Sequence, residues 1–292
     1  MKTFRSYFCA RTIRCMCAGM LAGLSLVLPE SVSGADFPQG LMLHFNFDEA
    51  PSGGVISDRS GRGYDGRAIG AIWASAGKRG GGVAFASSNQ CIVVTNYPVL
   101  NLTQVTYAVW FQTSASNTTD RAIIDKRCNQ RCWVGVVGEP TDTGNKGRLR
   151  AVAGDQSTLS DNVVTDSAWH HAMVTFDGES LKLYIDGQLQ KQSTTRIKEF
   201  ASNVGELVIG MNKADSISAG EGRTFNGMID DLMIFNHALT EAEAGAVIAS
   251  LKAKFTRDQV ARRLVELKGL LDRGLILQEF YDRKVKECEA GQ

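Results

Sequence analysis

The chain has 292 residues, 32 Lys and Arg against 31 Asp and Glu, and 43% hydrophobic residues. Charged residues at 22% and only five prolines exclude wholesale disorder. A formal net charge of +1 excludes a nucleic-acid binder that works through a global basic field.

Residues 1–35 read as a secretory signal. Lys2, Arg5, Arg11 and Arg14 form a basic leader, Cys15–Pro29 a short apolar run, and Ser33-Gly34-Ala35 a small-residue cleavage site. The run is too short for a comfortable membrane span. Removing four basic residues and one acidic residue takes the net charge from +1 to −2. The mature chain then has no electrostatic pull toward nucleic acid or anionic lipid. Cys9, Cys15 and Cys17 leave with the signal. Cys91, Cys128, Cys132 and Cys288 remain, an even number suited to an oxidising compartment. Asn129-Gln130-Arg131 separates Cys128 from Cys132, and a three-residue hairpin turn there favours a Cys128–Cys132 disulfide. A zinc site is the weaker rival, because no second ligand pair lies nearby.

From about Gly40 to Asn236 the pattern is β. Short apolar runs recur between Gly, Asn, Asp and Ser, as in Leu41–Phe47, Gly82–Phe85, Cys91–Val94, Thr106–Phe111, His171–Phe176 and Met228–Phe235. Leu181, Leu183 and Ile185 alternate with Lys182 and Tyr184, the period of a strand with one covered face. Asp177-Gly178 and Asp186-Gly187 bracket that run as hairpin turns, which makes it a meander strand. Ten or more strands without a long helix between them predict antiparallel sheets packed face to face. After the last strand, Thr240 and Glu243 fit a capping box. Val260, Leu264, Leu267 and Leu271 then form one helical stripe stopped by Gly274, and Gln278–Glu287 a second helix.

These motifs, in this order, resemble a laminin-G-like, concanavalin A-like jelly-roll domain of the bacterial secreted type. The residues that carry the resemblance are Leu43–Glu49, Asp58–Gly63 with Asp65-Gly66, Trp169–Gly178, Leu181–Gly187 and Phe225–Asn236 followed by Ala238-Leu239-Thr240. The C-terminus resembles the helical-hairpin module called SHOCT through Leu264–Ile276 and Glu279–Lys284, departing at Leu277, where that pattern has a Thr or Ser cap. The implied organisation is a signal at 1–35, a jelly roll at 36–250 and a hairpin at 255–292. The implied fold is a mainly β, two-sheet antiparallel sandwich with a short C-terminal α-helical hairpin.

The resemblance implies a structural calcium among Asp58, Asp65, Asp230 and Asp231, with Asp48 a weaker candidate; hard carboxylate oxygens suit that ion. Strand alternation puts Asp230 with Leu232 and Ile234 on the inner face, where a charge needs a cation or several donors. A loop cap or an arginine partner for Asp230 is the alternative.

Glycanases on this fold carry Glu-x-Asp-x-x-Glu, which is absent here. His170 and His171 face opposite ways on a strand and cannot serve one site. No nucleophile elbow or His-Glu-x-x-His is present. The expectation is therefore a non-catalytic binding protein, with a cell-envelope structural or protein-binding role as the alternative and a divergent polysaccharide hydrolase or lyase as the weaker one. Arg127, Asn129, Gln130, Arg131 and Trp133 cluster on the hairpin and are candidate carbohydrate contacts. The rival is that Trp133 begins a core strand and the arginines are solvated. The expected partners are a glycan or an envelope protein, with self-association through the hairpin and a secreted or periplasmic location.

Overall fold

A computed structural model describes residues 37–289 apart from 88, 96–99, 101, 115–118, 127–130, 139–143, 155, 195–204, 213–223 and 253–256. The expected signal at 1–35 lies outside the described residues. In chain order the strands are β1 (Leu41–Phe45), β2 (Val55–Ile56), β3 (Gly66–Ile69), β4 (Ile72–Ala74), β5 (Gly82–Phe85), β6 (Cys91–Val94), β7 (Val105–Gln112) and β8 (Arg121–Asp125). They continue as β9 (Arg131–Val136), β10 (Arg148–Gly154), β11 (Gln156–Val163), β12 (Trp169–Phe176), β13 (Ser180–Ile185), β14 (Gln188–Thr194), β15 (Leu207–Ile209) and β16 (Gly227–Phe235). Three helices follow: α1 (Glu241–Lys252), α2 (Arg257–Asp272) and α3 (Gln278–Glu289).

The strands form two antiparallel sheets. One runs β14-β13-β12-β7-β16-β5-β4 with β1 also paired to β16; the other runs β11-β10-β9-β8-β15-β6-β3-β2. Their facing sides hold the main core, including Phe45, Phe85, Ile92, Phe111, Ile123, Leu149, Phe176 and Leu181. The result is the expected two-sheet sandwich, consistent with a jelly roll. The meander around Leu181–Ile185 is present as β12-β13-β14, and Asp186 and Gly187 both adopt the positive φ of a tight hairpin turn.

A second apolar cluster lies on the outer side of the first sheet. Ala108, Met173, Met233 and Phe235 meet Val247, Ile248 and Leu251, so α1 covers this face. The capping box that starts α1 is formed: Thr240 N donates to Glu243 Oε2 and Glu243 N to Thr240 Oγ1. The stripe read for α2 faces inward, with Val260 and Leu267 buried. Gly274 ends the helix with positive φ, and Leu275 N donates back to Leu270 O. The helices α2 and α3 pack against each other as a hairpin.

Candidate functional site

The molecule concentrates its buried charge where β16 changes partner. Gly227–Ile229 pair with β5 and Leu232–Phe235 with β1, leaving Asp230 and Asp231 at the junction. Against β7 the register slips there, and Asp231 takes a φ of 44°. This is a β-bulge, which re-aims side chains. It also corrects the face expected for Asp230. That residue pairs with Trp110, on the outer side of the sheet, while Leu232 and Ile234 point into the sandwich.

The Gly-rich segment Gly77–Gly81 closes over the junction. Arg79 N donates to Asp230 Oδ2 and Asp231 N to Asp230 Oδ1, both at 2.8 Å. The Arg79 guanidinium lies 3.2 Å from Asp231 Oδ2, and His44 Nε2 lies 3.3 Å from Asp231 Oδ1. Approach is so close at Gly77 that a β-carbon would collide with the Gly81 carbonyl and Asp230 Oδ2. Asp48 joins from the end of β1: its Oδ2 accepts from Asn46 Nδ2, and the Gly81 N–H also bonds its carboxylate. Burial, then the charge of Asp231, pushes the Asp230 carboxyl up to about 9. The same two causes raise Asp48. Three carboxylates thus face one buried arginine and one histidine.

Asp58 and Asp65 form a second network, joined to the first through His44, whose ring meets Asp231 and whose N–H meets Asp58. Asp58 accepts from His44 N, Ser60 N, Ser60 Oγ and Tyr64 N, all within 3.0 Å, and Asp65 Oδ1 accepts from Asp58 N. These bonds fold the 58–65 loop back onto β1. Between the segment that leaves β1 and strand β2 opens a cavity of about 180 Å³, lined by Asn46, Phe47, Glu49, Ser52, Ser57 and Arg59 among others. Arg59 bridges Glu49 at 2.7 Å across its rim, and Arg262 of α2 approaches Glu49 at 3.6 Å.

The four carboxylates expected to share a calcium therefore do not form one site. Asp58 does not fit a cation, because N–H and O–H donors already take its lone pairs, and Asp65 is tied to that loop. Among the described residues no three His, Cys, Asp or Glu side chains converge as metal ligands. Asp48 and Asp230 fit the ion better. Both are buried carboxylates whose ionised forms burial and the charge of Asp231 disfavour, and a cation would relieve that.

The other expected site falls largely outside the description. Arg127, Cys128, Asn129 and Gln130 lie outside the described residues; Arg131 opens β9, and of its side chain nothing is described. Cys132 is a free thiol, and its expected partner Cys128 lies outside the described residues. By strand phase Cys132, Val134 and Val136 point into the core, where Tyr107 bonds the Cys132 sulfur and burial pushes its thiol up to about 11. Cys91 is also a buried free thiol. Trp133 faces the opposite side of β9, over Gly135 and with Nε1 toward Asn212 Oδ1. At 5% exposure it offers no free face for stacking. His170 and His171 do point apart: His170 meets Phe111 and His171 meets Trp110.

Sequence reasoning missed Arg79, His44, Glu49 and Arg59. Asp48 and Glu49 lie within the motif Leu43–Glu49, which was a legible signal; Arg79 stands outside every motif read from the sequence.

The family model described as the concanavalin A-like lectin/glucanases superfamily matches residues 86–245, more than half of the chain. No curated protein matches the sequence. Among solved structures, domain 4 of AbnA, an extracellular arabinanase from Geobacillus stearothermophilus, in complex with arabinotriose, is 21% identical with a TM-score of 0.54; the match covers 72% of this chain and 98% of that one. The binding domain of Paraclostridial Mosquitocidal Protein 1 is 15% identical with a TM-score of 0.55, covering 72% of this chain and 52% of that one. The Trypanosoma rangeli sialidase in complex with sialic acid is 14% identical with a TM-score of 0.57, covering 75% of this chain and 34% of that one. The chain thus spans about half and about a third of the length of the latter two, and at these identities the likeness is one of fold. The chain belongs to the concanavalin A-like lectin/glucanase superfamily.

Proposed function

We propose that this chain is a non-catalytic carbohydrate-binding protein, secreted or periplasmic, with residues 1–35 as its cleaved signal. The observation that carries the proposal is the cavity beside β1. Its amide, hydroxyl, carboxylate and guanidinium groups match the hydroxyls of a sugar. At about 180 Å³ it is smaller than drug-sized pockets, which begin near ~300 Å³, and suits one sugar unit. The solved neighbours support the reading, since the arabinanase domain is in complex with arabinotriose and the sialidase with sialic acid. The non-catalytic part rests on the lining. Glu49 is a single carboxylate there, whereas glycoside hydrolysis uses a pair about 5–9 Å apart.

Calcium has a structural role in this proposal. Asp48 and Asp230 would hold it, and it would supply the positive charge that Arg79 and His44 leave lacking. The helical hairpin, with its SHOCT-like sequence, is an interaction module in this reading. Val265, Leu275 and Leu277 stand 65–77% exposed on it, which favours a second copy or an envelope protein as a further partner.

A glycan array of residues 36–292 tests the carbohydrate reading, run with the Glu49→Ala, Arg59→Ala double variant beside the wild type, in calcium and in chelator. Specific binding by the wild type that the variant loses is the expected result. Absence of specific binding by the wild type in both conditions would overturn it. Binding shared equally by both proteins would move the site away from this cavity.

A further inference from the structure

A histidine near the other end of the meander is held in a way that only one of its protonation states satisfies. His170 Nδ1 lies 2.9 Å from Asp186 Oδ2, and Nε2 lies 3.0 Å from Asp166 Oδ1. A neutral imidazole has one N–H donor and one acceptor lone pair. Whichever tautomer it took, one nitrogen lone pair would face a carboxylate oxygen. Only the imidazolium donates to both, so both contacts are charge-assisted.

The two carboxylates belong to different turns. Asp166 sits between β11 and β12 and accepts Ala168 N at 2.9 Å. Asp186 is in the β13–β14 turn at a φ of 53°, and its second oxygen accepts His171 N at 2.8 Å. The neighbouring strand β7 adds no charge at His170: Phe111 presents a ring whose centroid is 6.0 Å away. His171, the remaining titratable neighbour, points to the opposite face of β12 beside Trp110. Beyond the turn, Gly187 abuts Ile248 of α1.

We infer that His170 is a pH-sensitive clamp, an imidazolium that ties the β11–β12 and β13–β14 turns together and breaks that tie when it loses one of its two ring protons. Bonding to Asp186, opposed by partial burial and reinforced by Asp166, holds the His170 pKa above its ordinary value. The clamp is therefore closed below the ordinary imidazole value. It opens as pH rises through that raised value. Release uncouples the turn that fixes His171 N from the one that fixes Ala168 N, so local exchange should report it before global unfolding does.

The test is nuclear magnetic resonance of residues 36–292 from pH 5 to pH 9. At pH 6 both His170 ring nitrogens should carry protons. The Ala168 and His171 amides, corrected for intrinsic exchange, should lose protection about tenfold between pH 6 and pH 9. His170→Arg keeps two donors and cannot deprotonate in this range, so its protection should stay flat. A neutral single tautomer of His170 at pH 6, or wild-type protection that stays flat across the range, would overturn the clamp. If His170→Arg fails to fold, the ring-nitrogen spectrum of the wild type decides alone.

Discussion

Asp58 and Asp230 carry the same side chain into two different environments, and the contrast separates two ways a sandwich can hold a carboxylate. Asp58 sits at the surface of a loop, where four backbone and hydroxyl donors surround it. Its negative charge organises the loop and asks for no countercharge. Asp230 is buried at a bulge, in contact with a second carboxylate and close to a third, and its environment drives its pKa upward. There the countercharge matters more than the donor count, because desolvated ions of like sign repel in a low-dielectric surrounding. The family resemblance, which joins the two residues in one expected calcium site, is blind to this difference.

Removing the countercharge should have the largest effect. Arg79→Met leaves Asp231 buried and without its guanidinium, at a cost of about 3–5 kcal/mol, read as a lowered denaturant midpoint. Added calcium should recover part of that loss if Asp48 and Asp230 take the ion; an unchanged midpoint in calcium and in chelator would count against the metal. Removing donors' acceptor at the loop should cost less. Asp58→Ala strands the His44, Ser60 and Tyr64 N–H groups in a partly solvated place, for about 1–3 kcal/mol, and should reshape the cavity wall that carries Arg59. A loss as large as that of Arg79→Met would mean that the two clusters are one.

The effect of His170→Gln depends on pH. A histidine whose folded pKa is raised contributes stability below its unfolded pKa of about 6.5 and loses it as pH rises through the folded value. The variant should therefore cost about 1–2 kcal/mol near pH 6 and little near pH 9. Asp166 is lowered, first by the Ala168 N–H and also by His170. Asp186 is lowered as well: burial raises it, and His170 with the His171 N–H outweighs burial. Their contribution is lost in acid, as pH falls through those depressed values. A stability difference that is constant between pH 6 and pH 9 would contradict the protonated clamp. The smallest effect is expected at Leu277, which is 77% exposed at the N-cap of α3. Leu277→Ser should raise hairpin stability by about 0.5–1 kcal/mol, read as helical content on warming.

Much of the fold is legible because local rules and tertiary packing agree. Two Asp-Gly turns fix the β12-β13-β14 meander. Thr240 with Glu243 marks the start of α1, and Gly274 the end of α2. Strands β10 and β14 are harder to read. Leu149, Ala151 and Ala153 face the core of β10 with mostly small side chains, and β14 is a polar edge strand.

The site is less legible than the fold. One residue of register slip at the β16 bulge moves Asp230 to the outer face, and no sequence period records a bulge. The countercharge comes from Arg79, about 150 positions away, outside every motif read from the sequence. Cys132 shows the converse. The short spacing to Cys128 directs attention to a bridge, while strand phase, which places the Cys132 sulfur in the core beside Tyr107, goes unread.

The most direct test of carbohydrate recognition at the β1 cavity is to follow backbone amide shifts of residues 36–292 as an array-selected sugar is added. Saturable shifts should centre on Asn46, Ser52, Ser57 and Arg59, with the Asp166 and Asp186 turns unmoved. Shifts centred on Trp133 and the outer face of its sheet, with the cavity residues silent, would contradict that assignment.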